Sequence, residues 1–126
     1  MEILLKEVCN SMVSLKQLIF STTILIIADV ITGIINAILN KELSSTKMRV
    51  GIVGKFYELM IITITILIDS ILPIKELHLP IVVCIFYIAQ EGLSIIENTG
   101  KYISYPQIIK DLFVKLQDLS KNNKEK

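Results

Sequence analysis

A single acidic residue, Asp29, lies in the middle of a run that otherwise reads as a membrane span. Residues 18–39 read LIFSTTILIIADVITGIINAIL and hold no other ionisable side chain. As a helix rising about 1.5 Å per residue, these 22 positions reach roughly 33 Å, enough to cross a hydrocarbon core about 30 Å thick. A carboxylate at the centre of a span costs about 3 kcal/mol on insertion scales, and each Ile, Leu, Val or Phe returns about 0.3–0.6 kcal/mol. The apolar majority therefore carries the helix in with Asp29 aboard. An acid at that depth needs a partner, a proton or water, and so marks a functional position. The chain is expected to be an integral membrane protein that acts inside the bilayer.

Composition agrees. A hydrophobic fraction of 52% and a mean hydropathy of +0.64 over 126 residues exceed what a soluble domain of this size could bury. The net charge of +1 shows no basic stripe suited to nucleic acid. Cys9 and Cys84 lie far apart without metal-ligand spacing, so two unpaired thiols are expected. His78, the only histidine, has no nucleophile or Cys/His partner near it and reads as a loop residue. Neither catalysis, nor a metal, nor any other cofactor is expected. The apolar run is too long and begins too late for a signal peptide, and no small-x-small site follows it. Met12 reads as an ordinary methionine rather than a second start.

Two further apolar stretches follow, at about 56–74 (FYELMIITITILIDSILPI) and 79–96 (LPIVVCIFYIAQEGLSII). Lys75, Glu76, Leu77 and His78, bracketed by Pro73 and Pro80, make a tight polar hairpin between them. The expected fold is all-α, with a transmembrane unit of three helices over residues 17–96. Residues 1–16 place Leu4, Leu5, Val8, Met12 and Leu15 at helical spacing, as an interfacial helix would. Residues 97–126 form a cytoplasmic tail. Within it Pro106 suits a first helical turn, with Ser104 as its cap. Ile109, Leu112, Phe113, Leu116 and Leu119 then make one apolar face opposite Lys110, Asp111, Lys115 and Asp118. That helix is expected to lie on the membrane or to pair with a copy of itself, and the terminal SKNNKEK to be disordered. Ten of the thirteen basic residues fall in loop 40–55 or after residue 96. The positive-inside bias puts those segments in the cytoplasm and the N-terminus outside.

Each span carries a polar stripe. In the first, Asp29, Thr32, Gly33, Asn36, Ala37 and Asn40 share one helix face, and Gly33 and Ala37 form a small-xxx-small pair that lets another helix approach. The second offers Lys55, Glu58, Thr65 and Asp69, the third Tyr87, Glu91, Ser94 and Asn98. Three stripes are hard to satisfy within three helices, so further copies or water are expected to take part. Helix packing, a water-lined or oligomer-contact role, and a specific proton or ion site all remain open for these positions.

The run Asp29-Val-Ile-Thr-Gly33-Ile-Ile-Asn-Ala37, then Lys41-Glu-Leu-Ser-Ser45 and the basic, Gly-bearing loop to Lys55, resembles the phage-lysis and toxin-secretion holins of Gram-positive bacteria and their phages. Glu91-Gly-Leu-Ser94-Ile-Ile-Glu97-Asn98, Pro106 and the amphipathic helix fit the same pattern, so the resemblance covers roughly residues 20–118. Asp29, Gly33, Glu91, Glu97 and Asn98 are the positions it marks. It implies a small protein of the bacterial cytoplasmic membrane that oligomerises with itself and opens lesions. A muralytic endolysin or a large toxin then leaves without needing direct contact. The alternative is a small proton- or ion-coupled transporter or channel that uses Asp29 or Glu91. A third reading is a non-conducting subunit that docks a partner through its tail.

Overall fold

The structure, a computed structural model, describes residues 3, 15–72 and 79–124. Most of the expected interfacial helix, with Cys9 and Met12, and the 73–78 hairpin with His78 lie outside the described residues. Four helices of full length lie among the described residues, in order α1 (Leu15–Leu39), α2 (Ser45–Ile71), α3 (Leu79–Thr99) and α4 (Gln107–Lys124). The first three are long and apolar enough to cross a membrane.

Local chemistry sets the helix ends. At the end of α1 the Glu42 amide donates to the Ala37 carbonyl at 2.9 Å and the Lys41 amide to Ile38 at 3.2 Å, the paired bonds of a Schellman turn. Lys41 takes the left-handed backbone at φ 58° that the turn requires. A side chain there costs about 1–2 kcal/mol. Lys41→Gly is therefore expected to raise the unfolding midpoint in detergent by a few degrees. An unchanged or lower midpoint would contradict this turn assignment.

Ser44 caps α2, its hydroxyl accepting from the Lys47 amide at 3.5 Å. α2 thus begins at Ser45, well ahead of the apolar stretch 56–74, because VGIVGKF carries no helix breaker strong enough to delay it. The loop proper is residues 40–44, and Lys47, Arg49 and Lys55 are helical. Pro80 sits in the first turn of α3, where its missing N–H leaves no intrahelical bond unmade. α4 starts directly after Pro106 and runs to Lys124, so residues 120–124 are helical where disorder was expected.

α3 is the organising helix and packs against the other three, whereas the α1–α2 seam is the thinnest in the bundle. Ile26 of α1, Ile62 of α2, and Cys84 and Tyr87 of α3 form the buried core, flanked by Leu18, Ile19, Ile66, Val83 and Phe86. Thr22 and Thr65 are buried too, each hydroxyl donating to a carbonyl of its own helix. The outer surfaces of α1 and α2 expose Phe20, Ile24, Ile31, Val50, Phe56 and Ile64. Such an apolar girdle suits contact with lipid.

Candidate charge cluster at mid-membrane depth

Asp29 lies ten residues before the end of α1, Lys55 ten residues after the start of α2, and Glu91 eight before the end of α3. Consecutive helices reverse direction, so all three stand roughly 12–15 Å from the loop 40–44 end of the bundle. They meet there. The Lys55 ammonium lies 2.8 Å from Asp29 Oδ2 and 2.8 and 2.7 Å from the two Glu91 carboxylate oxygens. Glu58, one turn further along α2, contacts the same ammonium at 3.5 Å.

Amides complete the shell. The Asn98 side chain donates to Asp29 Oδ1 and to the Thr32 hydroxyl, both at 3.2 Å. Gln90 donates to Glu58 at 3.3 Å and to Glu91 at 3.4 Å. Glu91 is wholly buried, while the Lys55 side chain keeps 21% exposure. Glu58 Oε2 is buried and has no hydrogen-bond partner among the described residues. Three carboxyl groups thus share one ammonium. Lipid supplies no hydrophobic drive for helix association, so such polar contacts carry a large share of the specificity.

Within one chain Asp29, Lys55, Glu58, Glu91 and Asn98 meet much of one another's polarity, although Glu58 Oε2 keeps no partner among the described residues. Lys55, counted both as a loop cation in setting topology and as a member of the second stripe, is the hub of the cluster. Without it the basic residues still divide nine to three in the same sense. Asp29, Glu58, Glu91 and Asn98 come together as described. Asn36 accepts from the Asn40 amide at 3.2 Å near the end of α1. Asp69 is half-buried toward the far end of α2, and Glu97 is exposed on α3. Neither joins the cluster. Gln90 was missed because no polar spacing in α3 singles it out.

Within one copy, Gly33 and Ala37 face open space rather than a closely packed helix. They line a cavity of about 240 Å³ in the α1–α2 seam, which continues along Gly51 and ends on Asp29, Lys55, Ser94 and Asn98. A Cβ on Gly33 would stand 3.7 Å from the Asn98 amide nitrogen, an ordinary contact. Among the described residues, no group of His, Cys, Asp or Glu is arranged to hold a metal.

Asp29→Asn keeps an acceptor for Asn98 or Lys55 but removes one charge, and Lys55 retains both oxygens of Glu91. The expected cost is about 1–2 kcal/mol, with membrane insertion preserved. Unfolding in detergent measures it, and loss of the folded protein would show that Asp29 rather than Lys55 holds the cluster.

The comparisons with known proteins agree with this architecture. The profile of the bacteriophage holin family matches residues 8–118. The chain is 37% identical over 89 residues to a probable holin of Bacillus phage phi105, covering 70% of this chain and 65% of that protein. It thus spans a little under two thirds of that relative's length. Over 107 residues it is 35% identical to the uncharacterized protein YqxH of Bacillus subtilis strain 168, covering 82% of this chain and 76% of the relative. The uncharacterized protein CPE0383 of Clostridium perfringens strain 13 is 28% identical over 106 residues, covering 83% and 77%. No solved structure matches. Three apolar helices joined by an interior polar cluster, in a chain matched almost end to end by that profile, make this a multi-pass membrane protein that belongs to the bacteriophage holin family.

Proposed function

We propose that the chain works as a holin in the full sense: copies gather in the bacterial cytoplasmic membrane and open lesions through which an endolysin or a large toxin leaves. The observation that carries this reading is the division between an apolar outer surface and one interior cluster that takes at least one charge from each of the three spans. A lone copy hides its polarity against itself and rests in lipid. Crowded copies can exchange those contacts for intermolecular ones and for water, which gives a threshold. Nothing in this reading requires catalysis or a cofactor. The positive-inside bias supports loop 40–44 and α4 on the cytoplasmic side and the N-terminus outside.

Induced expression should leave growth nearly normal and then collapse the membrane potential abruptly, with co-expressed endolysin escaping only afterwards. A potential-sensitive dye and culture turbidity read both events. A coupled transporter or channel is the second reading, favoured by the cavity that reaches the cluster. A smooth, dose-proportional leak selective for one ion, with endolysin retained, would decide for it.

A further inference from the structure

We propose that the cavity between α1 and α2 is a water-filled vestibule in the closed single copy, open toward loop 40–44 and stopped at its inner end by the charge cluster. The inference concerns one copy at rest and does not depend on lesion formation.

Three features point the same way. The first is chemistry along the path. Glu42, Ser44 and Lys47 stand at the mouth, and Asp29, Lys55 and Asn98 at the base. Water occupies a cavity that is roomy and offers it several polar partners. At 240 Å³ this one has room for several molecules. Hydrocarbon in the same space would lie against an ammonium and a carboxylate, which ionisable residues in membranes avoid by facing water or one another.

The second feature is size along the seam. Gly33, Ala37 and Gly51 have no side chains long enough to fill the space between the facing helices, where larger ones would have interdigitated. A Cβ on Gly51 would meet nothing within 4 Å. The third is the plug. Ile26, Ile62 and Tyr87 each lie about one helical turn beyond Asp29, Glu58 and Glu91, away from loop 40–44, and pack into the core with Cys84. The path thus carries polar groups at its mouth and its base, with Val30, Ile34, Met48 and Ile52 along the walls between them, and closes on apolar core past the cluster. Lys55, with its partly exposed side chain, is where water stops.

Thiol labelling tests this, because the reactive thiolate forms in water and not in hydrocarbon. In a Cys9→Ser, Cys84→Ala background, single cysteines replace Ala37, Gly51 and Ser94 along the path. Ile35→Cys, at a half-exposed lipid-facing position, is the control. A charged, impermeant methanethiosulfonate is applied to intact cells and to inside-out vesicles at expression below the lysis threshold. All three path cysteines should react at least about tenfold faster than Ile35→Cys. They should do so only from the side on which Ser45→Cys reacts. Gly51→Trp should slow Ser94→Cys by a similar factor. If Ser94→Cys does not accumulate, Gly33→Cys, next to Asn98, takes its place. Path cysteines as slow as Ile35→Cys would mean that acyl chains or closed helices fill the seam, and labelling from the opposite side would remove the plug. Either result overturns the vestibule, whatever the lysis assay shows.

Discussion

Lys55→Met is expected to be the most damaging single substitution in the membrane core, costing about 3–5 kcal/mol. The reason is asymmetry. Among the described residues, Lys55 is the one cation in contact with Asp29, Glu58 and Glu91. Removing it leaves three carboxyl groups facing one another in a site where Glu91 is wholly buried. Removing one carboxylate leaves the ammonium other partners, which is why Asp29→Asn ranks well below it. Measured in detergent, Lys55→Met should fall to a much lower unfolding midpoint, and in cells it should accumulate poorly. The triple variant Lys55→Met, Asp29→Asn, Glu91→Gln should recover much of the loss, because neutral amides can bond each other without an ammonium. That recovery is the non-additivity expected of one contact network. A Lys55→Met protein as stable as the original would show that α2 is held by apolar packing alone.

The same residue shows what the sequence made legible. Span α1 was readable from its length and apolarity, because twenty-two residues with one acid have few other destinations. Polar spacing within each span also placed Asp29, Glu91 and Asn98 on inward faces, since a helical face is a local property. Convergence on one height was not legible from any one stripe. It follows from helix reversal together with the early start of α2, and that start was obscured by reading Lys47, Arg49 and Lys55 as loop charge. Lys55 and Glu58 already shared one stripe in the sequence, but counting Lys55 as loop charge as well hid it as the ammonium that the acids of the other two stripes would meet. The Gly33–Ala37 pair was read as a surface that lets another helix approach, and within one copy it faces Gly51 across open space. The seat of α4 was invisible for a related reason, since amphipathicity identifies a face without naming what covers it.

That seat gives the second large effect. Gly92 lies under the ring of Phe113, and a Cβ at Gly92 would stand 2.6 Å from a ring carbon. Tyr105 helps fix the turn before α4 through a 2.9 Å hydrogen bond between its hydroxyl and that of Thr99. Gly92→Leu cannot keep the ring where it is, and overpacking of this kind costs about 1–3 kcal/mol. The strain is relieved most simply by lifting α4, which packs on α3 with Phe113 against Gly92. Converted to populations, the shift raises the open fraction of α4 by about tenfold or more. Trypsin cleavage after Lys110 and Lys115 of the solubilised protein should quicken accordingly. Phe113→Ala alone also loosens α4. Combined with Gly92→Leu, however, it makes room for the new side chain, so the double variant should be cleaved more slowly than Gly92→Leu. In cells, if α4 tunes the timing of the lesion, Gly92→Leu should move the onset of depolarisation in the same direction as truncation after Asn98. Unchanged cleavage in Gly92→Leu would mean that α4 is held elsewhere. Cleavage of the double variant as fast as that of Gly92→Leu would mean that the ring is not what the leucine displaces.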